Sequence, residues 1–148
     1  ASVLSIYNRD KLKYNIKLQI LIYPVTSFSS NFPSKKKYDG LILSKDLMQW
    51  FEKKYLPQSI REKYLNDWKL SPIKASSLSN LPKTLLILAE CDPLFDEGKY
   101  FGELLNKNKN DVEIIIYKGQ IHGFLTMGGL IEDANNMINL IKKRLMQY

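Results

Sequence analysis

The sequence has a single cysteine, a single histidine and no long apolar run, and each scarcity excludes something. One thiol, Cys91, forms no internal disulfide framework and no cysteine-rich zinc site, which fits a reducing, cytoplasmic setting. No stretch reaches the roughly 20 apolar residues that cross a bilayer, so no membrane span is expected. The first residues, Ala1-Ser2-Val3-Leu4, lack an initiator Met and the basic n-region of a secretory signal, and read as the interior of a longer chain. Internal repeats and low-complexity tracts are absent. The composition, 45% hydrophobic and 25% charged, is globular rather than disordered.

The net charge of +7 raises the question of a nucleic-acid partner. The lysines are scattered, however, and 15 acidic residues lie among them. The two tight clusters, Lys35-Lys36-Lys37 and Lys142-Lys143-Arg144, read as a solvated loop and as the end of a helix, where positive charge complements the dipole. No nucleic-acid partner is expected.

What is present is a strand–helix alternation. Residues 18–23, 84–89 and 112–117 are short continuous apolar runs, the pattern of strands buried on both faces. Residues 2–9 read as a helix tail with Val3, Leu4 and Tyr7 on one side. Residues 25–43 read as a long loop. Ser44 is placed to cap a helix whose Leu47, Trp50, Phe51 and Tyr55 form one apolar face. Residues 58–82 carry breakers and no firm periodicity, so 25–82 is a partly helical excursion between strands. Asp96 and Glu97 stand at the start of the next helix, which turns Phe101, Leu104 and Leu105 inward. A last helix, about 130–146, is expected to bury Ile131, Ala134, Ile138, Ile141 and Leu145, with Gly128 and Gly129 leading into it. The class is α/β, with a parallel sheet and right-handed crossovers.

In such a sheet, ligands bind beyond the carboxyl ends of the strands. Asp92 follows the second strand and His122 the third, so one βαβ unit brings a carboxylate and the chain's histidine to the same edge. That pairing suits an acid that orients an imidazole. An aspartate before proline is equally a turn former, and a loop histidine is equally surface.

The runs Gln19-Ile20-Leu21-Ile22-Tyr23-Pro24-Val25, Asp92-Pro93-Leu94-Phe95-Asp96-Glu97-Gly98 and Ile121-His122-Gly123-Phe124 resemble, in order, the hormone-sensitive-lipase-like family of α/β-hydrolases. Ser71-Pro72, Leu81-Pro82 and Tyr117-Lys118-Gly119 extend the match across nearly the whole chain. The resemblance implies the C-terminal part of one α/β-hydrolase domain, 1–148, acting on a small acyl ester as a carboxylesterase or lipase without cofactor or metal. It makes Asp92 the triad acid and His122 the general base. It also places the helix near 45–56 beside the acyl pocket, with Met48, Trp50 and Phe51 as lining or, on the other reading, as packing residues. Asp96 and Glu97 are expected to serve the helix start rather than substrate.

The family's nucleophile elbow, Gly-x-Ser-x-Gly, and its His-Gly-Gly oxyanion stretch do not occur in this sequence. Ser2 and Ser5 lie in a helical stretch without the strained turn a nucleophile needs, and Cys91 reads as a buried structural cysteine. The expected partner is therefore the N-terminal half of the same enzyme, and the chain alone is expected to be inactive. The rival expectation is a truncated remnant or interaction module, forming a homo-oligomer through an uncovered strand edge.

Overall fold

The middle strand, β2 (Lys83–Cys91), has β1 (Leu18–Ile22) hydrogen-bonded on one side and β3 (Val112–Ile121) on the other, all parallel. The structure is a computed structural model describing residues 1–28 and 31–148. Ser29 and Ser30, inside the expected loop, lie outside the described residues.

β2 is apolar without alternation because it is covered on both faces. Leu86 and Leu88 point into one core with Ile6, Leu21, Phe101 and Leu105. Leu85, Ile87 and Ala89 point into the other with Phe124, Ala134 and Met137. The two-residue period of a strand thus divides one hydrophobic run between two cores.

The crossover from β2 to β3 is α5 (Phe95–Lys107), which lies on the first face with Phe101 and Leu105 fully buried. Gly98 and Gly102 let it lie close. A Cβ on Gly98 would sit 2.6 Å from Leu88 Cδ2, and one on Gly102 would sit 2.6 Å from Leu86 Cδ2 and 2.8 Å from Ile114 Cδ1. The opposite face carries α6 (Glu132–Leu145), tied to β3 by a fork in which Arg144 Nε donates to Glu113 Oε2 at 2.6 Å and a second guanidinium nitrogen donates to Oε1.

Several expectations about helix faces are corrected. In α6 the buried residues are Ala134 and Met137, with Ile131 and Ile141 partly covered, while Ile138 is 48% exposed and Leu145 is exposed. Small Ala134 and flexible Met137, one turn apart, set the rotation of the helix in place of the branched Ile138. In α1 (Ser2–Tyr7), Ser2, Ser5 and Ile6 form the buried face, whereas Leu4 and Tyr7 are exposed. Ile6 carries that helix into the core beside Leu21, and a π-helical turn (Asn8–Leu12) continues it.

The excursion contains more helix than the sequence suggested: α2 (Ser34–Lys37), α3 (Lys45–Tyr55), α4 (Gln58–Tyr64) and a 3-10 turn (Pro72–Lys74). Ser44 does cap α3, its Oγ accepting from Leu47 N at 3.1 Å. The apolar side of α3 is not core, since none of its residues is buried. Among the described residues no helix is long and apolar enough to cross a membrane.

Two expected outcomes follow from this packing. Gly102→Leu should lower the unfolding free energy in denaturant melts by about 1–3 kcal/mol, because α5 has no room to admit the side chain. The Arg144 guanidinium holds the Glu113 carboxyl below the usual glutamate range, against a smaller opposing effect of burial. A depressed folded value stabilises above the unfolded value of about 4.3, and that stability is lost as pH falls through the folded value. Arg144→Met is therefore expected to be less stable than the parent chain in denaturant melts at neutral pH, with the gap closing in acid; a pH-independent gap would contradict this.

Candidate active site

Asp92 emerges from the end of β2 and is 0% exposed. Its two carboxyl oxygens do different jobs. Oδ1 accepts from Leu94 N at 2.8 Å, closing the turn that Pro93 favours, and the Asp92 carbonyl accepts from Phe95 N at 3.0 Å as α5 begins. Oδ2 lies 2.7 Å from His122 Nδ1. Turn former and imidazole partner, alternatives in the sequence, are here the same residue.

β3 does not stop at Tyr117, as its apolar run suggested, but continues to Ile121. The pairing steps from Ala89↔Tyr117 to Cys91↔Ile121, so residues 118–120 bulge opposite Glu90 alone. Gly119 takes the left-handed φ of 70° that such a bulge requires, and its N–H donates to Glu90 Oε2 at 2.8 Å. The bulge re-aims the strand end so that His122 arrives beside Asp92. Gly123, at φ 80°, then turns the chain into a 3-10 turn (Phe124–Met127) whose Phe124 is fully buried.

Tyr23, just beyond β1, packs its ring 4.7 Å from the His122 ring and 6.1 Å from Phe124. Burial raises the Tyr23 phenol above its ordinary value, the Leu125 backbone hydrogen bond pulls it down, and the Asp92 charge adds to the rise. Tyr23 is thus a neutral wall for the imidazole. Sequence reasoning missed it because it was counted as the last residue of an apolar strand.

His122 lies at the edge of a cavity of about 560 Å³. Its wall is mostly apolar: Val25, Phe28, Leu43, Met48, Phe51, Tyr55 and Leu94. Of Met48, Trp50 and Phe51, the cavity is lined by Met48 and Phe51 and not by Trp50. Positions 48, 51, 52 and 55 share one side of α3, whereas Trp50 lies off that side, edge-on to Phe51 at 5.1 Å.

Asp96 and Glu97 stand in the first turn of α5, as expected, and their side chains also hold the excursion. Asp96 Oδ2 accepts from Ser34 N at 2.7 Å, and Ser34 Oγ donates to the Pro93 carbonyl at 2.8 Å. Glu97 is 0% exposed; its Oε1 accepts from Thr26 N at 2.7 Å and Ser27 N at 3.2 Å, and its Oε2 pairs with Lys35 Nζ at 2.8 Å. Burial pushes the Glu97 carboxyl up, while Lys35 and the two amides pull it down. Nothing in the spacing of an acidic pair at a helix start announced this burial. Cys91, expected to be buried, is partly exposed at the strand end. Ser2 and Ser5 are buried on α1. Among the described residues no group of three or more His, Cys, Asp or Glu side chains is placed to hold a metal.

A family model described as alpha/beta hydrolase fold matches residues 1–126. The ethyl acetate hydrolase of Pseudomonas putida is 33% identical over 133 residues, covering 89% of this chain and 41% of that protein. The carboxylic ester hydrolase LipN of Mycobacterium tuberculosis is 33% identical over 146 residues, covering 93% and 38%. Among solved structures, a hyperthermophilic esterase from the archaeon Pyrobaculum calidifontis superposes with a TM-score of 0.88 at 36% identity, covering 95% of this chain and 46% of that one. The thermostable carboxylesterase EstE1, from a metagenomic library, gives 0.85 at 29% identity, covering 95% and 48%. The chain spans about two-fifths of the length of these curated relatives.

The contact between Asp92 and His122 fixes a tautomer. In nitrogen NMR of the single histidine at alkaline pH, the proton should sit on Nδ1, facing Oδ2. Asp92→Asn should shift it to Nε2, because the carboxamide can donate to Nδ1. An unshifted spectrum would mean the contact does not orient the ring.

Proposed function

The chain belongs to the alpha/beta-hydrolase fold family, in its hormone-sensitive-lipase-like esterase and lipase branch, and from this premise we propose that it supplies the acid and the base of a serine esterase. The observation that carries the reading is the 2.7 Å contact between buried Asp92 and His122 at the edge of an apolar cavity. Residues 1–148 form the C-terminal part of one catalytic domain, with 25–82 as the excursion that walls the acyl pocket. The nucleophilic serine and the oxyanion donors come from outside these residues.

In this scheme His122 Nε2 takes the proton of the serine hydroxyl as Oγ bonds to the ester carbonyl carbon. Asp92 holds the Nδ1–H and stabilises the imidazolium that forms. The tetrahedral intermediate then collapses: its bond to the alcohol oxygen breaks, and His122 returns the proton to that oxygen. Water, deprotonated by the same imidazole, attacks the acyl-serine carbonyl; the acid leaves and the serine regains its proton. No step calls on a metal or cofactor. The names of the relatives, an ethyl acetate hydrolase and carboxylic ester hydrolases, support a small acyl ester as substrate.

The test unites these residues with a serine-elbow segment read in frame upstream. That protein is expected to hydrolyse short p-nitrophenyl esters, and the 148-residue chain alone is not. His122→Ala should lower kcat about 1,000,000-fold and Asp92→Asn about 10,000-fold. Full turnover in His122→Ala would remove the assignment. Unrelated sequence upstream, with no hydrolysis, would make the chain an inactive remnant.

A further inference from the structure

Every ionic side chain that lines the cavity has a counter-charge. Glu52 meets Arg61 at 2.9 Å, His122 meets Asp92 at 2.7 Å, and Lys35 meets Glu97 at 2.8 Å. The third pair is the unusual one, because its carboxylate lies wholly behind the wall while the Lys35 side chain is 19% exposed and faces the cavity. Two backbone donors, Thr26 N and Ser27 N, fix Glu97 Oε1, and the Thr26 hydroxyl donates to the Glu97 carbonyl at 3.0 Å. The carboxylate therefore cannot swing out to water, and the ammonium is matched where it stands.

We infer that Glu97 is a specificity-determining positioning residue, which neutralises Lys35 and so makes the pocket select an uncharged acyl chain. The inference rests on the esterase reading above. An acyl chain ending in a carboxylate would have to draw Lys35 from Glu97 and strand a buried carboxylate, which is costly. A neutral chain meets apolar side chains and disturbs no pair. Glu97→Gln separates the two jobs of the residue: the amide oxygen still accepts from Thr26 N and Ser27 N, but the charge opposite Lys35 is gone.

The experiment uses the protein that unites this chain with its serine-bearing segment and compares two p-nitrophenyl esters of equal acyl length, the neutral butyrate and the anionic hemisuccinate. The quantity read is the anionic-to-neutral ratio of kcat/KM. Glu97→Gln should raise it about fivefold, the scale of one partly exposed ion pair. Lys35→Met, which leaves the carboxylate behind the wall, should lower it, and the double variant should return it to the wild-type value. Equal loss on both esters in a folded Glu97→Gln would overturn the inference in favour of a purely structural role. If that variant does not fold, a wild-type or higher ratio in Lys35→Met overturns it. Wild-type protein that hydrolyses neither ester in a His122-dependent way refutes the esterase reading itself, which separates the two failures.

Discussion

The arrangement depends on one buried carboxyl group, that of Asp92. A polar group removed from water costs free energy unless its hydrogen bonds are replaced. Here the replacements are Leu94 N on one oxygen and the His122 ring on the other. The first partner is local and comes with the Asp-Pro turn. The second comes from thirty residues later, so the site exists only if β3 is registered correctly against β2. That register is set by apolar pairing along the middle of the strands, from Thr84↔Val112 to Ala89↔Tyr117, and then broken on purpose by the bulge at 118–120. Core packing delivers the histidine to the right edge, and the bulge delivers it to the right place on that edge.

A second buried carboxyl group, Glu97, organises the other side of the cavity. It sits one turn into α5, the helix that starts immediately after the Asp92 turn and that Gly98 and Gly102 allow to rest on β2. The same seven-residue stretch, Asp92 to Gly98, therefore contacts the imidazole, seats the helix and holds Thr26, Ser27, Ser34 and Lys35. Each function needs a different residue type, and the strand-to-helix turn brings them within reach of separate partners.

These facts show what the sequence can and cannot announce. The three strands were legible because each is a continuous apolar run, although only β2 is buried along its middle, and Asp92 and His122 were legible because strand ends in a parallel sheet share an edge. The extension of β3 was not, since Lys118-Gly119-Gln120 has the composition of a turn and only the pairing of Gly119 N with Glu90 makes it strand. Helix rotation was not either: Met137 and Ile138 are adjacent and both apolar, and tertiary packing alone decides between them. Which aromatic of α3 faces the cavity was not legible either: Trp50 and Phe51 are adjacent, and Phe51 lines the cavity while Trp50 does not. Glu97 was hidden most completely, for an acidic pair at a helix start has a sufficient local explanation and gives no sign of a loop folding over it.

The cavity is built from elements of unequal rigidity. Asp92, His122 and Tyr23 stand just beyond the ends of three hydrogen-bonded strands, of which β2 is buried along its middle, and their rings and carboxyl group are in contact. Met48, Phe51 and Tyr55 stand on α3, which buries no residue of its own, and α4 beyond it buries none either. Elements with few buried contacts open at lower free energy than the core. Asp92 and His122 are thus fixed by their mutual contact, while the segment opposite is tied to α5 by Asp96 to Ser34 and by Glu97 to Thr26, Ser27 and Lys35, and Arg61 joins α4 to Glu52 of α3. The two sides of the cavity therefore differ in how they are held: Asp92 and His122 by the ends of paired strands, and Met48, Phe51 and Tyr55 by a helix that buries none of its own residues.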